Sequence, residues 1–171
     1  MVDAQNRKSN LMFQTAYRVI VRQMTKLKSE QAAWIKRLAR AMPFYRHLGI
    51  TLTKVGWGNV EIRLKVKKEL TQSAGFAHGG VSAALIDSAV GLALCTILDQ
   101  RELITTVELN VSFIAPAGPG FLRTRGSIFH KGKRLAVGDA EVRDEKGTLV
   151  SKGSATYMIL SNKRQRVVEL S

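Results

Sequence analysis

The sequence holds a single cysteine, Cys95, so no disulfide can form within the chain. That excludes the stapled scaffolds of small secreted proteins. Aromatic residues are sparse at 6%, which leaves little stacking surface for nucleic acid. Acids are scarce too, 13 against 27 lysines and arginines, for a net charge of +14. Met1–Asn10 is polar and no apolar run of signal length follows it, unlike a secretory leader. The Gly-x-Ser-x-Gly elbow, the Gly-x-Gly-x-x-Gly fingerprint and the phosphate-loop motif are missing. The three histidines, His47, His78 and His130, lie far apart and give no metal-ligand spacing. Neither a metal nor a separate cofactor is expected. Internal repeats and low-complexity runs are also lacking.

What is present is a chain of 171 residues, 45% hydrophobic, enough for one compact domain and an extension. The charge is unevenly spread. Residues 1–47 carry ten basic side chains against two acidic ones, +8 of the total, and the remainder carries +6. Any inference from charge to nucleic acid or a membrane surface therefore falls mainly on the N-terminal quarter. The lone thiol suits a reducing compartment, and a cytoplasmic location is expected. The mitochondrial matrix is the alternative, because Asn6–Lys28 is basic, amphipathic and free of acids.

Periodicity divides the chain into residues 1–42, a basic helical extension, residues 43–160, the folded domain, and residues 161–171, a charged tail. Leu11–Met42 reads as helix with a break near Lys28–Ser29. Its second piece places Trp34, Ile35, Leu38, Ala39 and Met42 at helical spacing. Pro43 ends it. Gly49–Val55 and Asn59–Val66 read as strands around a Gly56-Trp57-Gly58 turn, and Lys67–Ala77 as a polar loop. Val81–Leu98 is apolar on almost every face, a helix buried all round. Its 18 residues reach the lower limit for spanning a bilayer. Asp87 near its middle argues against that, since an unpaired carboxylate in lipid costs several kcal/mol. Three long β patterns follow, Leu103–Ala115, Phe121–His130 and Arg134–Asp144, and Thr148–Leu160 closes the sheet. In the first of them Thr105, Val107, Leu109, Val111 and Phe113 alternate onto one face. The expected class is α+β, one antiparallel sheet wrapped around one buried helix.

Asp87 has no lysine or arginine three or four residues away on its helix, where Ala83, Ala84, Val90 and Gly91 stand. A buried acid without a local partner is either hydrogen-bonded for structure or functional. His78-Gly79-Gly80 lies where a loop enters the same helix, so Gly79 and Gly80 present backbone N–H groups at the positive end of the helix dipole. Such a place suits an oxyanion, although two glycines can equally shape a turn while His78 caps the helix. Eight residues separate Gly79 from Asp87, about 12 Å along a helix. That is too far for both to act on one carbonyl. If both serve one substrate, they come from two chains across a twofold axis, so an enzyme here requires at least a dimer.

His78-Gly-Gly-Val-Ser-Ala-Ala-Leu-Ile-Asp87-Ser-Ala-Val-Gly, preceded by Leu70-Thr-Gln72-Ser-Ala-Gly75-Phe, resembles the hotdog-fold acyl-CoA thioesterases. The phenylacetate-degradation and 4-hydroxybenzoyl-CoA branch is the most similar. Pro43-Phe-Tyr-Arg-His-Leu-Gly-Ile50, Val107-Glu-Leu-Asn-Val-Ser-Phe-Ile-Ala-Pro116 and Gly132-Lys-Arg-Leu-Ala-Val137 extend the resemblance over Pro43 to Leu160. It implies a hotdog fold, an acyl-CoA substrate and a homodimer or homotetramer. It makes Asp87 the general base or nucleophile, Gly79 the oxyanion donor and Gln72 a polarising group oriented by His78. Thr106 would hold the water, with Gly80 beside the substrate. Lys131, Lys133 and Arg134 at a strand turn would take the phosphates of CoA. The hydroxybenzoyl branch often carries Glu in place of Asp87, and the phenylacetate branch Asn in place of Gln72. The readings that remain open are thioester hydrolysis, a dehydratase or hydratase on the same fold, and a non-catalytic acyl-CoA or nucleic-acid module. No nucleic-acid partner and no transmembrane segment are expected.

Overall fold

A computed structural model describes residues 27–160; the first piece of the expected Leu11–Met42 helix, as far as residue 26, and the charged tail fall outside that range. Helix α1, Ser29–Ala41, buries Ile35 and Ala39 at i and i+4, with Glu30 in its first turn and Arg40 in its last. Each charge matches the dipole end it occupies. Met42 is extended, as the residue before proline prefers. Pro43 then opens a second helix rather than merely closing the first. This is α2, Pro43–Leu48, which ends on Gly49 at φ 78°. Proline suits the first helical position because its missing N–H would have had no partner there. The sequence places Gly49 in a strand; the structure places it in this left-handed cap.

Strands β1, Thr51–Gly56, and β2, Asn59–Val66, form a hairpin. A short 3-10 turn over Lys68–Leu70 leads to α3, Gly79–Cys95, and four strands follow: β3, Leu103–Phe113; β4, Gly120–Lys131; β5, Leu135–Arg143; β6, Leu149–Leu160. All six pair antiparallel in the order β1-β2-β4-β5-β6-β3, which makes β3 an edge. The sequence counts three long patterns plus a closing segment; these are four full strands.

Helix α3 packs against every strand from β2 to β6. Leu85, Ile86, Val90 and Leu94 are fully buried, each contributing about 1.5–3 kcal/mol of transfer free energy. The sheet comes close because β4 has Gly126 beneath the helix. A Cβ there would lie 2.6 Å from the Ala89 backbone carbon, nearer than packed atoms allow. The helix thus runs along the sheet as its hydrophobic filling, which is the expected α+β arrangement.

Strand β3 departs from the simple alternation. Thr106 pairs with Tyr157 and Glu108 with Thr156, leaving Val107 as a bulge. The bulge reverses parity, so Thr105 does not share a face with Leu109. Thr106 does instead, and its side chain turns toward α3.

Candidate active site

Asp87 sits half-buried on α3. The Thr106 hydroxyl donates to its Oδ1 at 2.9 Å. The Tyr157 hydroxyl lies 2.6 Å from the same oxygen and 2.7 Å from the Asp87 carbonyl. Tyr157 comes from β6 and is 5% exposed. Burial first, and the Asp87 carboxylate next, push its phenol well above the usual tyrosine range, so it remains a proton donor at any working pH. Oδ1 is thus occupied by two hydroxyls, while Oδ2 has no hydrogen-bond partner among the described residues. One oxygen is fixed and the other is free for a water or a carbonyl carbon, the arrangement a base or nucleophile requires.

Gly91, one turn beyond Asp87, makes room for that phenol. A Cβ at Gly91 would lie 2.7 Å from the Tyr157 hydroxyl. Tyr45 of α2 donates to the Ser88 carbonyl at 3.2 Å, and burial raises its phenol far above the ordinary range. The carboxylate opens onto a cleft of ≈ 450 Å³ between α1, α2, α3 and the start of β3. Cys95 borders the same cleft, and burial pushes its thiol up to about 12. It stays protonated at neutral pH and is no nucleophile.

The N-terminal end of α3 forms a separate hollow of ≈ 370 Å³, where Gly79, Gln72 and Phe113 meet. The His78 Nδ1 accepts the Gly80 N–H at 2.9 Å, which makes His78 the helix cap. That bond engages the Gly80 N–H and turns the His78 Nδ1 toward Gly80 rather than toward Gln72. Gly79 is left as the available donor: as the first helical residue it has no intrahelical acceptor, and none is found for it among the described residues. The Phe113 ring lies against it, 3.2 Å from where a Cβ would stand.

Asp87 and Thr106 are therefore together, with Tyr157, a residue absent from the sequence-based set. Gln72 and Gly79 are together elsewhere. Lys131, Lys133 and Arg134 lie in a third place, the β4–β5 turn; all three are exposed and make no ion pair among the described residues. Tyr157 carries no local signal because it reaches Asp87 from 70 residues away. The described residues include no cluster of histidine, cysteine or acids that could hold a metal, and no helix long and apolar enough to cross a membrane.

Residues 74–151 match the thioesterase superfamily. The chain is 31% identical over 137 residues to acyl-coenzyme A thioesterase 13 of Homo sapiens, covering 78% of this chain and 96% of that one. It is 24% identical over 117 residues to the 1,4-dihydroxy-2-naphthoyl-CoA hydrolase of Listeria monocytogenes, covering 68% and 95%. A solved thioesterase family protein from Silicibacter pomeroyi superposes with a TM-score of 0.72 at 28% identity, over 77% of this chain and 99% of that one. The neighbouring structures carry the hotdog fold that the α3-in-sheet layout produces. The matched span holds Gly79, Asp87, Thr106 and the basic β4–β5 turn, and the chain belongs to the thioesterase superfamily.

Proposed function

We propose that the protein hydrolyses acyl-CoA thioesters to a free carboxylic acid and CoA, at a site completed by two copies of the chain. The observation that carries this reading is the split site: a carboxylate with one free oxygen midway along α3, and an unengaged N–H at its first residue, about 12 Å away. Strand β3 favours the pairing that would join them. It is an edge strand whose Val107, Leu109 and Phe113 are exposed, Phe113 to 64%. An unpaired apolar edge is a surface that seeks a second strand. Antiparallel pairing of two such edges about their middle would bring the Phe113 end of one copy, with its Gly79, to the Thr106 end of the other, with its Asp87.

In that arrangement the Gly79 N–H, aided by Gln72, polarises the thioester carbonyl and takes up charge on the tetrahedral oxygen. Asp87 Oδ2 either removes a proton from the attacking water, so that the free acid forms as the CoA thiolate leaves, or adds to the carbonyl itself. In the second case it expels the thiolate, and water then cleaves the acyl-Asp87 anhydride to the free acid. Lys131, Lys133 and Arg134 provide unpaired positive charge for the phosphates of CoA. Purified protein assayed for thiol release on a panel of acyl- and aryl-CoAs tests this. Asp87→Asn is expected to lower kcat by at least about a hundredfold, within the range for loss of a general base. Undiminished turnover in Asp87→Asn, or no hydrolysis of any acyl-CoA by the wild type, would contradict it.

A further inference from the structure

Helix α1 precedes the matched family span, yet it forms one wall of the cleft beside Asp87. Hydrogen bonds from both N-terminal helices set how they lie against α3. At one end the Gln31 amide donates to the Cys95 and Leu98 carbonyls at 2.9 and 3.0 Å. At the other, Tyr45 of α2 holds the Ser88 carbonyl. Along α3 the cleft is lined by Asp87, Ser88, Gly91, Leu92 and Cys95, one continuous face at helical spacing. Facing them are Trp34 and Leu38 from α1 and Met42 from its C-terminal cap. Trp34, one turn beyond Gln31, therefore belongs to the Cys95 end, and Met42 to the carboxylate end.

Resting on the reading of the protein as a thioesterase, we infer that this cleft is the acyl-binding site and that Trp34 and Cys95 mark its far end. Two carboxylates lie on the wall of this mainly apolar cleft. Glu102 is engaged by the Asp99 N–H at 2.9 Å, while Asp87 keeps one oxygen free. That suits a ligand whose reacting carbon is polar and whose remainder is hydrocarbon. Asp87 and Cys95 are eight residues apart on α3, about 12 Å. A hydrocarbon zigzag with bonds of about 1.5 Å fits roughly eight to ten carbons into that length. The ligand is thus a medium-chain acyl group, and the length limit is set by α1 of the same chain that supplies the carboxylate.

The test uses the full-length protein and a series of non-hydrolysable alkyl-CoA thioethers from ethyl to hexadecyl, with affinity measured by calorimetry and hydrolysis of the matching acyl-CoAs measured in parallel. Wild-type affinity is expected to rise with chain length up to octyl or decyl and then fall. Trp34→Ala should move that maximum to longer chains and Cys95→Phe to shorter ones. Each should change the ratio of decyl to butyl affinity by at least about tenfold, as one or two methylenes in an apolar pocket do. Leu38→Ala and Cys95→Leu are the milder pair if either variant fails to melt cooperatively. A length maximum that neither pair shifts would overturn the inference while leaving hydrolysis intact. Affinity that ignores length in the wild type would overturn it too, the cleft then holding another part of the chain or a second copy. Shifted binding maxima without hydrolysis of any acyl-CoA would uphold the acyl site and remove the catalytic reading.

Discussion

Asp87 Oδ1 accepts from Thr106 and Tyr157, and the two donors differ in what they can offer a reaction. Thr106 stands on an edge strand beside a bulge, where solvent and substrate can reach it. Tyr157 is enclosed and borders the cleft, but both contacts of its hydroxyl are to Asp87, a positioning role. Tyr157→Phe removes a hydrogen bond to a charged group while keeping the ring that fills the space beside Gly91. Such bonds contribute about 1.5–3 kcal/mol, so kcat is expected to fall roughly tenfold to a hundredfold. KM should change little, because the hydroxyl is spent on Asp87 and the ring that borders the cleft is kept. A matched fall in kcat and rise in KM would assign Tyr157 to binding instead. Asp87 and Gly79 were legible in the sequence, as an acid without helical partners and as a glycine at a helix entrance. Tyr157 was not, because only the β3–β6 register places it beside the helix.

At the scale of elements, hydrophobic spacing located α3 and the strands, since each buries a face at its own period. Three features needed the folded chain. The Val107 bulge changes which threonine of β3 faces Asp87. Pro43 reads equally well as the end of one helix or the start of another. The partnership of α1 with the Asp87 cleft depends on Gln31 meeting two carbonyls far along the chain. The β1–β2–β4 corner adds a pH-dependent element. Glu61 is buried on β2 and bonded to Thr53, Lys54 and Arg125. Burial alone would raise its carboxyl; the bonds from Arg125, Lys54 and Thr53 outweigh that and hold it below its usual value. A depressed carboxyl contributes stability that is present above its unfolded pKa and lost as pH falls through the folded one. The melting temperature of Glu61→Gln should therefore lie below wild type at neutral pH and converge on it in acid. A constant gap across that range would assign the effect to packing.

For the whole molecule, the charge of +14 separates into the +8 of residues 1–47 and the +6 of the rest. The part carried by the domain suits a ligand with several phosphates, and the exposed turn at Lys131, Lys133 and Arg134, without ion pairs among the described residues, is one place to hold them. The central claim of the proposed function concerns assembly: Asp87 and Gly79 are too far apart on one α3 to share a carbonyl, so the proposed site draws them from different copies. Gly79→Pro deletes the proposed oxyanion donor at the first helical position, whose backbone suits proline provided the exposed Phe113 ring, 3.2 Å from the new Cβ, shifts aside. Asp87→Asn disables the other half. Each variant alone should be inactive. Co-expressed in equal amounts, they should regain about a quarter of the wild-type rate, because half the dimers are mixed and each mixed dimer holds one intact site. Activity no greater than that of the two separate variants would mean that Asp87 and Gly79 do not act across subunits, and would contradict the account.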